Sequence, residues 1–431
     1  MSSRNHEKVE QILKELQNLH PENIDLGLGR TFELLEKLGN PQNNLPPVIH
    51  IAGTNGKGST LSFIQGILES AGLVVHRYTS PELVKFNERY IISGKEISDG
   101  DLLKYLQQVK EVNNGTPITF FEITTAVCFK MFADNKADVI LLETGLGGRL
   151  DSTNVVPNTA VNVITSIDMD HEAFLGDTVE KIATEKAGIL RPLASVVLAP
   201  QNHLDVDAVV IGKANELGSH LNAYRLNWDY EVMDDKSFVL NTNKGSFNLP
   251  QPNLVGIHQY ENASTAIVAV QELSRANIKV DPKHYAVGIQ NAIHRGRFEK
   301  INISGITDKD IYMDGGHNPS ASETILNNIK NLNVDKITLI CGMLSGKDVA
   351  GFIEPLKPYI NNAYTVTVKD NPFSTAPAMT ADELATALND NGVNANPCND
   401  IKDAVKQAQQ QSQSVILCAG SLHLVGDLIS L

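Results

Sequence analysis

Val48-Ile49-His50-Ile51-Ala52-Gly53-Thr54-Asn55-Gly56-Lys57-Gly58-Ser59-Thr60 is the stretch on which the reading of this chain turns. Its opening residues alternate with an apolar bias and predict a short strand. Three glycines and a lysine then form a loop, and residues 61–71 predict a helix. In that order, backbone N–H groups can point inward on a phosphate while the helix N-terminus adds its positive dipole. The spacing departs from the common Gly-x-x-x-x-Gly-Lys-Ser/Thr loop, because Gly53 and Gly56 stand close together and Gly58 separates Lys57 from Ser59. A bare glycine loop is an ordinary turn. The lysine, the hydroxyl pair and the preceding strand make Gly53, Thr54, Asn55, Gly56, Lys57, Gly58, Ser59 and Thr60 candidate nucleotide-phosphate contacts.

Upstream, residues 1–19 place Val9, Ile12, Leu13, Leu16 and Leu19 on one helical face, with acids among them and no apolar signal core. Residues 31–38 predict a second helix, and 74–78 a strand ending in Thr79-Ser80-Pro81. Residues 82–98 read as a long, partly ordered loop, followed by amphipathic helices over 99–112 and 121–134. Asp138-Val139-Ile140-Leu141-Leu142-Glu143 is almost continuously apolar, the mark of a parallel strand buried on both faces. Further strands are expected at 160–167 and 195–199, with a helix over 178–188 between them. Strands alternating with helices at this spacing predict an open, mostly parallel α/β sheet. Ligands bind beyond the carboxyl ends of such strands, so the loops after Ala52, Tyr78, Leu142 and Ile167 share one edge.

Residues 221–249 change to short alternating runs and predict antiparallel hairpins appended to that sheet. Helices over 260–276 and 283–293 follow. His294-Arg295-Gly296-Arg297 then opens a fresh series: strands at 298–303 and 311–313, a helix over 320–331, and strands at 336–341, 363–368 and 414–418. The fold class expected is α/β. A mostly parallel P-loop ATPase domain with appended antiparallel strands spans residues 1–295, and a smaller C-terminal α/β domain spans 296–431.

At 431 residues the chain is long for one average domain, and 42% hydrophobic with 20% charged residues is enough to bury a sizeable core. A formal charge of −14 argues against wholesale binding to nucleic acid or an anionic membrane. An anionic substrate would need a local cluster of Lys, Arg or helix N-termini. Cys128, Cys341, Cys398 and Cys418 form no CxxC pair and read as small buried hydrophobes. No apolar run approaches the ~20 residues of a membrane span. The expected location is the cytoplasm.

An acid at the end of a buried strand is costly to ionise unless paired, and a magnesium ion would resolve that cost at Glu143. A helix cap or salt bridge would do the same. His171, alone, reads as a satisfied structural imidazole, and Ser80 as a turn residue. Their shared edge with the lysine loop makes Ser80, Glu143 and His171 candidate metal ligands. Lys186, in the last turn of a helix, reads as a complement to the dipole there. Asp314-Gly315-Gly316-His317-Asn318-Pro319 repeats a binding-loop layout in the second domain, with Ser320 as a helix cap. Arg297, beside the boundary, has the charge to meet a phosphate, although a surface arginine has the same composition.

Taken together, these residues resemble the folylpolyglutamate synthase/dihydrofolate synthase family, a branch of the Mur ligase superfamily. The resemblance runs through residues 24–30, Gly53–Thr60, Ser80-Pro81, Phe86-Asn87-Glu88-Arg89, Phe121-Glu122, residues 143–154 and Asp170-His171. It continues through residues 185–189, His258-Gln259, Asn262, Gly296-Arg297, residues 314–319, Lys347-Asp348 and Gly420-Ser421-Leu422. It implies ATP-dependent ligation of L-glutamate onto the glutamate tail of a folate or polyglutamylated folate, through an acyl phosphate, with release of ADP and phosphate. Whether glutamate is also added to dihydropteroate, the family's second activity, is left open by the sequence.

The resemblance further implies that Gly53–Thr60 hold the ATP phosphates and that Ser80, Glu143 and His171 ligate magnesium, with potassium as an optional monovalent companion. Lys186 matches a lysine commonly carbamylated (N6-carboxylysine) to place another anion near the metals. Asn262, Arg297 and Asp314 match nucleotide-contacting positions. His317 matches a histidine close to the phosphates, and with Lys57 and Lys186 completes the expected catalytic set. A monomer is implied.

The chain departs from the family pattern at Glu82, where histidine is usual, at Arg295 in place of proline, at Gly316 in place of alanine, and over 373–379, which lacks an arginine. Two other functions compete. A cell-wall Mur ligase acting on a uridine-nucleotide-linked peptide would need a separate domain before Val48, where only about 47 residues stand. A non-catalytic ATP-binding protein would leave Ser80, Glu143, His171 and Lys186 unexplained as a set.

Overall fold

Val48–Ala52 forms strand β1, buried at every position, in a computed structural model that describes residues 2–19, 27–303, 309–369, 376–412 and 415–431. Residues 24–26 of the early motif, 373–375 of the C-terminal stretch and Ser414 of the last expected strand lie outside the described residues. Next in the chain come β2 (Val75–Tyr78), β3 (Tyr90–Ile92), β4 (Lys95–Glu96), β5 (Val139–Glu143), β6 (Val161–Ile164), β7 (Ser195–Leu198) and β8 (His220–Ala223). Among the described residues these eight make one sheet in the order β4-β3-β2-β5-β1-β6-β7-β8. From β2 to β8 the neighbours run parallel, while β3 and β4 add antiparallel pairs at one edge. The central strands are apolar and buried on both faces because helices cover each side.

Two expectations change here. Residues 82–98 do not form a loose loop: Phe86–Arg89 is a 3-10 turn, and β3 and β4 make a hairpin. Tyr90 anchors it, fully buried beside Tyr78 with ring centroids 5.5 Å apart and its hydroxyl donating to Thr124 O at 3.0 Å. Strands this short carry too few residues for a period to be read. Residues 221–249 also divide differently. The helix Leu204–Glu216 leads into β8, which joins the main sheet, and β9 (Trp228–Val232), β10 (Phe238–Thr242) and β11 (Gly245–Leu249) form a separate antiparallel sheet. Phe238 of that sheet is buried and meets Tyr260 edge to face.

The helix that follows the glycine loop, Lys57–Ser70, starts four residues earlier than expected. It packs against helix Lys283–Asn291 at a glycine contact. A Cβ on Gly66 would stand 2.5 Å from Gly288 O, and one on Gly288 would stand 2.5 Å from Ile67 N. Gly288→Ala gains about 1 kcal/mol of helix propensity. It also forces two backbones apart, at a cost at the upper end of the roughly 1–3 kcal/mol for overpacking. A net loss of about 2 kcal/mol in urea unfolding is expected. A midpoint equal to wild type would mean that the helices separate without cost.

The structure falls into two compact units. One comprises Met1–Pro81, Phe86–Asn253 and Tyr260–Ile293; the other comprises Glu82–Lys85, Leu254–Gln259 and His294–Leu431. In the second unit β12 (Glu299–Ile301), β13 (Asp310–Asp314), β14 (Ile337–Cys341), β15 (Ile360–Thr365), β16 (Ala395–Pro397) and β17 (Val415–Ala419) follow the order β12-β13-β17-β14-β15-β16. Only the β12–β13 pair is antiparallel among the described residues. Alternation sends Leu339, Cys341 and Leu417 into one apolar layer and Ile340, Ile416 and Cys418 into the other. Leu83 packs on the second layer with Leu424 and Val425, and Gly426 lies directly against the Leu83 carbonyl. All four cysteines are free and buried.

Candidate active site

The carboxyl ends of β2, β5, β1 and β6 lie side by side, with Tyr78 opposite Leu142, Ile51 opposite Glu143, and Ala52 opposite Ile164. The chain leaves β1 toward β2 on one side and later crosses from β5 to β6 on the other, so the β1 exit loop opens at a topological switch point. Gly56, at φ +87°, occupies the cap position of helix Lys57–Ser70, and a Cβ there would stand 2.6 Å from Asn262 Oδ1. A Cβ on Gly53 would run into the Thr165 hydroxyl. Thr60 Oγ1 donates to Asn262 Oδ1 at 3.4 Å, which sets Asn262 against the loop. From β6, Ser166 O accepts from Thr54 N at 2.8 Å and Asn55 N at 3.1 Å, and Thr54 Oγ1 donates to Asp168 O at 3.0 Å.

Charge gathers on this frame. Lys57 Nζ donates to Gly53 O at 3.0 Å and Thr54 O at 3.3 Å, and lies 4.0 Å from Glu143 Oε1. Glu143 Oε2 accepts from Ser80 N at 3.4 Å. Lys186 does not serve its own helix end: it is 5% exposed and donates to the same Gly53 O at 2.9 Å. Burial, and then the positive charge of Lys57, pull the Lys186 amine down to a pKa of about 7.

The glycine-rich turn after β5 holds Lys186 in place. A Cβ on Gly148 would stand 2.8 Å from the carbonyls of both Glu185 and Lys186. Arg149 N donates to Glu185 O at 2.7 Å, and Asn154 Nδ2 donates to Arg149 O at 3.1 Å and to Gly188 O at 3.0 Å. Asp151 accepts from Gly145 N at 2.9 Å, Leu146 N at 2.8 Å and Thr153 Oγ1 at 2.5 Å, while burial raises its pKa against those bonds. Thr153 in turn meets His50 Nε2 at 2.8 Å, and burial lowers that imidazole to about 3, so it is neutral.

His171 sits at the β6 exit with φ 52°, its side chain 43% exposed and Nε2 3.8 Å from Asp170 Oδ2. Among the described residues, no three His, Cys, Asp or Glu side chains gather closely enough to cage a metal by themselves. A carboxylate and a hydroxyl-bearing residue beside a lysine-bearing glycine loop nevertheless fit a hard cation that keeps its waters and is bound through one or two carboxylates plus substrate phosphates. Glu143 is the carboxylate so placed, with Ser80 beside it through its backbone N, and Asp170 and His171 follow the exit of β6.

Within the second unit, Asp314 at the end of β13 accepts from Phe298 N at 2.9 Å and Gly316 N at 2.7 Å. Burial raises its pKa, and the nearby Arg297 guanidinium opposes that rise. A Cβ on Gly315 would collide with Leu422 and stand 3.3 Å from Arg297 Nη1. His317 donates from Nδ1 to Gly315 O at 3.0 Å. The helix Pro319–Asn331 is capped by Asn318, which accepts from Ala321 N at 2.8 Å, and not by Ser320. Proline at the first helical position puts the cap one residue before it.

The chain matches the Mur ligase middle domain over residues 51–270 and the Mur ligase glutamate ligase domain over 296–422. It is 32% identical over 418 residues to the dihydrofolate synthase/folylpolyglutamate synthase of Escherichia coli K12, covering 97% of this chain and 94% of that protein. This is a folylpolyglutamate synthase/dihydrofolate synthase family member. The family's Haemophilus influenzae enzyme is 34% identical over 437 residues, covering 96% of this chain and 95% of that one. Escherichia coli FolC in complex with DHPP and ADP superposes with a TM-score of 0.86 at 31% identity, over 98% of this chain and 97% of that chain. The Yersinia pestis CO92 bifunctional enzyme of the family, complexed with AMPPNP and Mn ion, gives 0.86 at 30% identity, again over 98% and 97%.

Sequence reading of this family member missed several residues around the loop. Thr165, Asp168 and Gln201 shape it from β6 and β7, and Asp151 ties the turn that carries Lys186. Asp168 and Asp170 carried a local signal, a pair of acids directly after an apolar strand. Gln201 carried none.

Proposed function

We propose that this chain is an ATP-dependent ligase that joins L-glutamate to the glutamate tail of a folate, releasing ADP and phosphate. The observation that carries the reading is the lysine-bearing glycine loop at the switch point, with Glu143 and Lys186 beside it. Transfer of the terminal phosphoryl group to the folate carboxylate makes an acyl phosphate, and attack by the amine of glutamate forms the amide and expels phosphate. A divalent cation, when bound, neutralises phosphate charge, and Ser80, Glu143 and His171 are the residues to hold it.

Lys57 and the first turn of its helix place positive charge where phosphate oxygens sit, so their work is positioning and charge neutralisation. Gly53–Thr60, Asn262, Arg297 and Asp314 are assigned to the nucleotide, and His317 to a place close to its phosphates. Lys186, with its depressed pKa, is assigned as the site of carbamate formation: the neutral amine adds to the carbon of CO2, one C–O π pair moves to oxygen, and a proton leaves. With this reading go magnesium as the divalent ion, potassium as a companion cation, a monomeric cytoplasmic protein and dihydropteroate as a second acceptor. No helix among the described residues is long and apolar enough to cross a membrane.

The test is ADP release with ATP, magnesium and glutamate against tetrahydrofolate, dihydropteroate or a uridine-nucleotide-linked muramyl peptide. Turnover is expected with the folate acceptor and absent with the muramyl peptide. Nucleotide binding without folate-dependent turnover would overturn the ligase assignment, and inert dihydropteroate would remove the second activity only.

A further inference from the structure

We infer that Gln201 is a positioning residue for the phosphate loop, acting on Gly53–Asn55 through the exit of β6. The inference rests on the nucleotide-binding reading of that loop. Strand β6 ends at Ile164, and the next residues, Thr165 to Asp168, leave the regular ladder. Their backbone groups must find partners elsewhere. On the side facing β7 the partner is one side chain: Gln201 Oε1 accepts from Ile167 N at 2.9 Å, and Nε2 donates to Thr165 O at 3.1 Å. The same Nε2 donates to Ala199 O at 3.0 Å, which ties the amide to its own strand exit. A glutamine amide carries one carbonyl and one NH2, the same donor and acceptor types as a peptide unit. Gln201 thus stands in for the missing residue of a neighbouring strand.

The other side of the same segment carries the phosphate loop. Ser166 O accepts from Thr54 N and Asn55 N, Asp168 N donates to Thr54 Oγ1 at 3.1 Å, and Thr54 Oγ1 donates to Asp168 O at 3.0 Å. Thr165 also puts its hydroxyl where a Cβ on Gly53 would be. The ties from Ser166 and Asp168 to Thr54 and Asn55 therefore sit between, or one residue beyond, the two points that Gln201 grips. His203 Nε2, 3.5 Å from Asp168 Oδ1, is a second and more exposed hold on the same segment. Without the Gln201 amide, Thr165 O and Ile167 N lose their partners and the segment is free to shift, taking the loop carbonyls and N–H groups with it.

A displacement near 1 Å at a positioning contact is enough to cost a decade or more in the step it serves. Gln201→Leu keeps the size and removes the amide. Calorimetric titration with a non-hydrolysable ATP analogue and magnesium should give a Kd about tenfold weaker than wild type, and KM for ATP should rise about tenfold while KM for folate and glutamate stays unchanged. Gln201→Glu keeps the acceptor for Ile167 N but sets a carboxylate oxygen, which only accepts, against Thr165 O and Ala199 O, and should weaken nucleotide binding at least as much as the leucine variant. If the leucine variant does not fold, the glutamate variant carries the test. Wild-type nucleotide affinity in either folded variant, or a uniform fall in kcat with every KM unchanged, would overturn the inference. The titration reads nucleotide affinity alone, so the role of Gln201 stands or falls separately from whether folate is turned over.

Discussion

Lys57→Ala is expected to lower kcat/KM by about 10³-fold, the scale seen when one preorganised charge-stabilising donor is removed. The unfolding midpoint should stay near wild type. Lys57 makes its hydrogen bonds to two carbonyls of its own loop, and Gly53 O keeps a donor in Lys186 after the change. Glu143, 4.0 Å away, loses a weak ion pair and retains Ser80 N. The substitution also lifts one of the causes that depress the Lys186 pKa, so that amine should titrate higher in the variant. ADP release and thermal melting on one preparation separate the two effects. Activity within tenfold of wild type would remove Lys57 from its role.

Lys186→Ala should lose activity on the order of 10²-fold, and added bicarbonate should not bring it back. Wild-type protein depleted of CO2 should regain activity when CO2 is restored at one fixed dissolved concentration, faster at pH about 8 than at about 6.5, because the neutral amine is the reactive form. The folded pKa of about 7 lies below the ordinary 10.5, so between those values the unfolded chain binds more protons than the native one. The penalty for burying this amine is therefore present in full below about pH 7 and relieved as pH climbs toward 10.5. With CO2 excluded, wild-type stability should rise relative to Lys186→Ala across that window. Parallel stability curves, or bicarbonate rescue of the alanine variant, would remove the assigned chemistry.

The glycine loop between its strand and its helix was legible in the sequence because its signal is local: residue types in order, a strand before and a helix after. Glu143 was legible for the same reason, as an acid closing an apolar strand. The burial of Lys186 was not, since its place in a last turn reads as dipole chemistry until Gly148 and Arg149 are laid over that turn. Asn262 was placed by family resemblance alone, and its position against Gly56 and Thr60 depends on a contact across about 200 residues of chain. The hairpin β3–β4 escaped because Tyr90, not a hydrophobic period, holds it.

Leu83 and Gly426 bear on modularity. The second unit takes Glu82–Lys85 and Leu254–Gln259 from far upstream in the chain, and Leu83 covers an apolar surface shared by Leu424 and Val425. A fragment cut from residue 296 onward would keep that surface and lose its cover. It would also lose Gly256, which packs beside His258 and Asn328. A swap of this region between relatives therefore has three pieces to move, two of them only a few residues long. Transplanting the long piece alone would leave Gly426 shaped for a carbonyl that the recipient has to supply from its own sequence.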